Sequence, residues 1–300
     1  MQRLKFAILG VLGLLVVTAA PVSAITYGQP DAGEHPYVGF MIFFDPSSPG
    51  WFSCSGTLLD SNTFLTAGHC TFPVGRNGHL AGSSARNDVW VTFKANDALA
   101  GFPQRADLPP NEAAVYAARS AFLNSNPNYV RGIAHPNPAF NDFASFPATN
   151  DVGVVEFSSS VLSRTGGTTG RLAPLGTAEV LARRASTRNL ALIETVGYGI
   201  QSVQPHPQDV DSRFKSTSRI VNLSGSISRG GNLHTLNNPS PVGGVGGSCF
   251  GDSGGPLFVN NTNQVVAVVS FGNSKTCHGA DYSWRVDTRP SQNFINQFLS

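Results

Sequence analysis

The chain has 300 residues, 41% hydrophobic and only 13% charged, a balance that can bury a core and excludes general disorder. Its 32 Gly and 20 Pro follow no period, which excludes a collagen-like chain and points to many turns and short strands rather than a helical bundle. Lys and Arg number 20 against 18 Asp and Glu, and Arg3 and Lys5 carry the whole excess of +2, so the chain lacks the basic stripe that holds nucleic acid. Composition therefore predicts an all-β protein.

Residues 1–24 join a basic start to an apolar run from Phe6 to Val17 and the small-residue ending Val22-Ser23-Ala24. This is the pattern of a secretory signal peptide cut after Ala24. The run's twelve residues fall short of the roughly 20 that cross a bilayer. The expected product is exported to the extracellular space, soluble, and free of the membrane after cleavage. In that oxidising setting Cys54, Cys70, Cys249 and Cys277, which show no CxxC zinc spacing, are expected to form disulfides. Four cysteines leave three pairings open.

From Tyr37 to Phe44 and from Trp51 to Leu65, β-branched and aromatic runs flank the turn Asp45-Pro-Ser-Ser-Pro-Gly50, predicting paired strands. Residues 74–87 are rich in Gly, Asn and Ser, and strand character resumes at Val89–Phe93. Between Asn96 and Thr149 seven prolines predict mostly surface loop, with a short helix over Asn111–Arg119. Further strands are expected at Val152–Phe157, Ala191–Val196 and Ser218–Leu223, with loops over Ser202–Ser212 and Leu233–Ser248. Leu257-Phe-Val259 and Val265–Phe271, split by Asn260-Asn-Thr-Asn263, read as a hairpin. Residues 291–300 place Phe294, Ile295, Phe298 and Leu299 on one face of a terminal helix capped by Ser291.

Three places carry chemistry. Leu65-Thr-Ala-Gly-His-Cys70 ends an apolar strand in a small-residue turn that presents His69. Asn150-Asp-Val-Gly-Val-Val-Glu-Phe157 leads an acid directly into an apolar strand, where a buried carboxylate needs a partner such as an imidazole donor; on its own Asp151 also fits a turn. Gly251-Asp-Ser-Gly-Gly-Pro256 surrounds Ser253 with glycines that free the backbone and aim N–H groups into one concavity. The last stretch also fits G-x-S-x-G, the elbow of α/β-hydrolases. That elbow demands a helix after the serine, then an acid and a histidine. Here Pro256 and a hairpin follow, and His278 precedes Asp281, so the elbow reading fails.

The order His69, Asp151, Ser253, with Thr66-Ala-Gly-His-Cys70 and Gly251-Asp-Ser-Gly-Gly-Pro256, resembles the trypsin- and chymotrypsin-like serine proteases. Ile25-Thr-Tyr-Gly28 resembles their mature N-terminus, Gly197-Tyr-Gly199 a mid-chain turn, and Ser270-Phe-Gly272 the substrate-binding strand. The resemblance implies two packed antiparallel six-stranded β-barrels, over about 25–165 and 166–289, and a short C-terminal helix over about 291–300. It favours the disulfides Cys54–Cys70 and Cys249–Cys277. It implies a secreted serine endopeptidase needing no metal or cofactor, a monomer acting on protein or peptide substrates and meeting protein inhibitors.

Site roles follow from the same resemblance. Ser253 is the nucleophile, His69 the base and Asp151 its orienting acid, with the backbone N–H groups of Gly251 and Ser253 as oxyanion hole. Asp252 is expected to pair with the freed amine of Ile25; because Ala24 precedes it, signal cleavage alone would release that amine. Gly247, Ser248, Ser270, Phe271, Gly272 and Asp281 are expected to bind substrate. Gly247 stands at the pocket base that is acidic in trypsin-like members, and Asp281 on the returning wall is a second source of charge. The rival expectation is a catalytically silent homologue that binds a partner on the same barrels.

Overall fold

In the computed structural model, which describes residues 25–26, 28–74, 89–185, 192–203, 207, 211–237 and 246–300, short apolar runs pair into two rings of strands. The chain enters as β1 (Gln29–Pro30) and builds the first ring from β2 (Val38–Asp45), β3 (Gly50–Leu58), β4 (Thr63–Thr66), β5 (Val89–Thr92), β6 (Tyr129–Pro136) and β7 (Gly153–Phe157). These close antiparallel in the order β2-β3-β4-β7-β6-β5, and a closed ring leaves no strand edge open. After β8 (Arg171–Leu172) come β9 (Leu192–Gly197), β10 (Phe214–Asn222), β11 (Asn232–Asn237), β12 (Pro256–Val259), β13 (Gln264–Gly272) and β14 (Gly279–Arg285). They run β9-β10-β11-β14-β13-β12 and close through the pairing of β12 with β9. Outside this second ring, β1 lies against β10 and β8 runs parallel to β13. Among the described residues, four α-helices decorate the barrels: α1 (Gly68–Thr71), α2 (Glu112–Ser125), α3 (Thr177–Ala185) and α4 (Arg289–Ile295). The framework is all-β, two six-stranded antiparallel barrels with a short C-terminal helix.

Phe40, Phe64, Trp90 and Phe157 fill the first barrel, and Ile193, Leu233, Leu257 and Val266 belong to a second cluster in the other. Each such side chain contributes about 1.5–3 kcal/mol by leaving water. Tyr198, Phe258 and Val268 of the second barrel join the first cluster, so apolar packing runs across the seam. A polar clamp adds direction to it. Buried Arg213, just before β10, donates from Nε to Asp31 at 2.8 Å and from a terminal nitrogen to the carbonyl of Val38 in β2 at 2.9 Å. Burial alone would raise the Asp31 carboxyl, but the bond from His35 and the Arg213 charge bring it down to about 2. A buried ion pair of this kind fixes alignment more reliably than it adds stability.

Several expected boundaries shift. The run Trp51–Leu65 is two strands, turned at Asp60, whose Oδ1 accepts from the N–H groups of Asn62 and Thr63. The helix expected to end at Arg119 runs on to Ser125: Asn111 caps it by accepting from Ala113 N–H at 2.8 Å, and Val115 and Leu123 anchor its buried face. β6 lies in a stretch expected to be loop, because its fully buried positions include small Gly132 and Ala134, which carry no strand-like signature. β11 was hidden for a related reason: Asn232, Thr235 and Asn237 are polar yet buried. The terminal helix starts at Arg289, earlier than residue 291, with Thr288 as N-cap; Ser291 is buried instead and accepts from Trp284 Nε1 at 3.1 Å. The leader expected over residues 1–24 and nearly all of the stretch 74–87 lie outside the described residues.

Candidate active site

β4 and β7 pair antiparallel, with Thr66 opposite Gly153, so the end of one strand and the start of the other meet at the same rim. There α1 presents His69, and Cys70 is disulfide-bonded to Cys54 of β3. Asp151, fully buried, faces it: the backbone N–H of His69 donates to Oδ1 at 2.8 Å, and His69 Nδ1 lies 2.9 Å from Oδ2. The hydroxyl of Ser270 from β13 also donates to Oδ2. A carboxylate accepting from Nδ1 fixes the tautomer that leaves Nε2 with its lone pair. Burial opposes the charge on both groups, but each stabilises the other. Asp151 is held below the ordinary carboxyl range by His69 and the Ser270 bond, and His69 is raised by Asp151 and, further off, Asp142.

Ser253 sits on the loop between β11 and β12, where Gly251 takes a φ of 97°. That left-handed conformation strains any residue with a Cβ. Ser55 of β3 latches this loop to the first barrel: its N–H donates to the carbonyl of Ser253 at 2.8 Å and its hydroxyl to that of Gly251 at 2.9 Å. Among the described residues, the backbone N–H groups of Gly251 and Ser253 have no acceptor, and the Ser253 hydroxyl makes no hydrogen bond. Free N–H groups pointing to one place form an anion nest. Ser253 and His69 line the same two cavities, so the hydroxyl and the imidazole share one crevice without being bonded to one another. Such contacts commonly tighten only when substrate is bound.

Asp252 is buried beneath this loop, accepting from Gly199 N–H to Oδ1 and Cys249 N–H to Oδ2, both at 2.8 Å. A Cβ on Gly199 would collide with the carboxylate, which explains the second glycine of Gly197-Tyr-Gly199. Burial pushes the Asp252 carboxyl up to about 7, with the Asp281 charge adding to it against the two N–H bonds. No described cation touches it. Ile25 is also fully buried, and the next residue, Thr26, bridges to Gly247.

One of the two cavities, about 300 Å³, is lined by Ser248, Ser270, Phe271, Gly272 and Asp281 beside His69 and Ser253. The second disulfide, Cys249–Cys277, contributes both its cysteines to the wall. Asp281 is 7% exposed, and Oδ2 accepts from the N–H and hydroxyl of Ser248 at 2.9 and 3.0 Å. Burial raises its carboxyl to about 6 in spite of those bonds. Gly247 does not reach the cavity: it is buried against Asn237 and paired with Thr26. Phe143, Phe250, Val269 and Ser274 also line it and were not anticipated. Phe250 is 57% exposed directly before Gly251, and Phe143 tilts against the His69 ring at 5.8 Å. Phe143 comes from the proline-rich stretch, where no periodicity marks it; Phe250's adjacency to the glycine run was the one available signal. The sulfurs of Cys54 and Cys70 lie near the imidazole, but a disulfide leaves neither as a thiolate ligand.

The family model for trypsin matches residues 124–295. The chain belongs to the trypsin family. Among solved structures, trypsin-like folds align over nearly the whole chain. One of HL collagenase is 18% identical with a TM-score of 0.60, over 91% of this chain and 97% of that one. Another, of GrC, is 16% identical with a TM-score of 0.58, over 90% and 96%. At such identities the likeness is one of fold. No curated protein sequence matches the chain. The trypsin match begins after His69, so His69's place in the site rests on geometry and motif, while Asp151 and Ser253 lie within the match.

Proposed function

We propose that this member of the trypsin family is a secreted serine endopeptidase. The observation that carries the reading is the fully buried Asp151 gripping His69 at both Nδ1 and the backbone N–H, in the crevice that holds Ser253. Ser253 Oγ attacks the scissile carbonyl while His69 Nε2 takes its proton. The oxygen of the tetrahedral intermediate accepts from Gly251 and Ser253 N–H. His69 then protonates the leaving amine, and water repeats the sequence on the acyl-enzyme. Asp151 stays ionised throughout and stabilises the imidazolium.

A second reading, a silent binding protein, draws on the unbonded Ser253 hydroxyl. A fluorophosphonate probe decides between them, since it marks only an activated serine: labelling at Ser253 together with peptide cleavage supports the enzyme, and folded protein that stays unlabelled supports the binder.

Export fits the leader and the two disulfides. N-terminal sequencing of the exported protein is expected to read Ile-Thr-Tyr-Gly from residue 25, whose new amine supplies the cation that Asp252 lacks. A start elsewhere in an active preparation contradicts this route.

Within the same reading, Asp281 gives the cavity a carboxylate and hence a preference for Arg or Lys before the scissile bond. Asp281→Ser is expected to lower kcat/KM on Arg peptides by roughly 100-fold, as removal of one partner of a buried charge pair does, with little change on Leu peptides. Because the carboxyl protonates near pH 6, KM for Arg peptides should climb as pH falls through that value while KM for neutral peptides holds. Equal kcat/KM losses on both substrates would place Asp281 in the scaffold instead.

A further inference from the structure

Where the entry segment, residues 29–35, meets the second barrel, a histidine is buried among charges that the proposed chemistry does not use. His35 is 6% exposed, its ring stacked on Phe258 of β12 at 5.1 Å, with Tyr37 edge-on at 5.9 Å. Tyr37 and Phe258 both belong to the apolar packing that crosses the seam. The two ring nitrogens face two buried carboxylates. Nδ1 lies 2.5 Å from Asp31 Oδ1, and Nε2 lies 3.6 Å from Oε2 of Glu194 on β9. Beyond them, Arg213 donates to Asp31, while Lys215 of β10 reaches Glu194 Oε1 at 3.2 Å and the exposed Glu34 at 2.5 Å.

These contacts leave one proton to be placed. Against the cost of burial, the bonds from His35 and Arg213 hold Asp31 down at about 2, so Asp31 accepts and Nδ1 is the ring's donor to it. With Nδ1 so committed, a neutral ring turns the Nε2 lone pair towards a carboxylate oxygen, acceptor against acceptor. A proton between Nε2 and Oε2 converts that repulsion into a charge-assisted contact, whichever atom carries it. Lys215 does not stand in for it, since Nζ sits against the other oxygen, Oε1.

We propose that His35 and Glu194 hold this proton as a pH-sensitive clasp on the seam, fastening the entry segment to the second barrel while the proton is bound and loosening it when the proton leaves. The segment's backbone ties to that barrel are short: β1 pairs with β10 over Gln29 and Pro30, and Asp31 N–H donates to the Arg213 carbonyl at 3.0 Å. The folded protein holds the proton more tightly than the unfolded chain does, so the clasp stabilises at low pH and its contribution is lost as pH rises. The neighbouring groups keep their charge from about pH 5 to 9. Asp31 stays ionised, and Tyr37, lifted by burial to about 12, stays neutral. Lys215 and Arg213 are raised, burial being outweighed by the groups around them, and stay charged. Asp252 and Asp281, in the other site, titrate in this range and act in the same direction, so the clasp is read from a difference between proteins.

Thermal unfolding tests it in a Ser253→Ala background, which removes self-cleavage. The parent of that background is compared with Glu194→Gln and His35→Asn at about pH 5.5 and 8.5, values on either side of an ordinary imidazole. The glutamine amide puts a permanent N–H opposite Nε2, and the asparagine keeps a donor for Asp31 without the second ring nitrogen. The fall in melting midpoint between the two pH values should be smaller in both variants than in the parent, by about 2–4 °C, the scale of one modest interaction in a protein of this size. Falls of equal size in all three overturn the clasp. Amide exchange on the parent alone gives a second reading that needs no folded variant. After correction for the intrinsic effect of pH, protection over residues 29–38 should drop several-fold from the lower pH to the higher while that of β13 holds. Unchanged protection over 29–38 overturns the inference. Neither readout is hydrolysis, so failure here leaves the proposed function standing.

Discussion

Replacing Ser253 with alanine is expected to reduce peptide hydrolysis about a million-fold, the loss typical of removing the nucleophile of a Ser-His-Asp unit. The size of the loss follows from the proposed mechanism, in which Asp151 and His69 draw a proton from one hydroxyl; without it the pair has nothing to activate. Oxyanion donors and substrate binding would leave a residue of rate over water. The fold should survive, since Ser253 is only half-buried, its hydroxyl makes no described hydrogen bond, and Ser55 grips its carbonyl rather than its side chain. Circular dichroism and thermal unfolding of the variant should therefore match the parent while kcat and fluorophosphonate labelling vanish. Activity retained within tenfold would mean that another group performs the chemistry.

Asp151→Asn is expected to lower kcat about 10⁴-fold, through the tautomer rather than the shape. The carboxylate accepts from His69 Nδ1, His69 N–H and the Ser270 hydroxyl. An amide can satisfy only part of that set, and its NH₂ presented to Nδ1 forces the imidazole proton onto Nε2. The base then points a donor at the hydroxyl it should deprotonate. A pH profile gives the complementary reading. Because Asp151 raises His69 above its ordinary value, the acid limb of kcat/KM in the parent should lie above pH 6.5, activity falling as the imidazole protonates. If Asp151→Asn keeps parental kcat, the carboxylate is not the orienting group.

Much of the architecture was legible because it is written in residues that tolerate little exchange. Cys70 beside His69 and the glycines around Ser253 announced their loops before any coordinates. So did the aromatic runs of β2 and β5, whose Phe40 and Trp90 help fill the barrel. Strands built from other material stayed hidden. β6 buries small residues and β11 buries Asn and Thr, so neither alternates apolar with polar in a way that separates strand from loop. The substrate cavities were only partly readable. Asp281 was in view from its place after Cys277, but Gly247, expected at the pocket, is bridged to Thr26 and is not among the residues that line the cavity. Phe143 is brought to His69 by tertiary packing of a loop that carries no local pattern.

Ser55 joins the two barrels at the most sensitive point. Its N–H and hydroxyl hold the carbonyls of Ser253 and Gly251, and its Oγ in turn accepts from Tyr198 N–H at 3.0 Å. In the proposed enzyme, nucleophile and base are thus carried by separately closed bodies, and these bonds, with the apolar seam and the Arg213 clamp, set their registration across the joint. Slippage there by an ångström would silence turnover while leaving each barrel's own ladder intact, so catalysis is the first property that loosening of the molecule should take away.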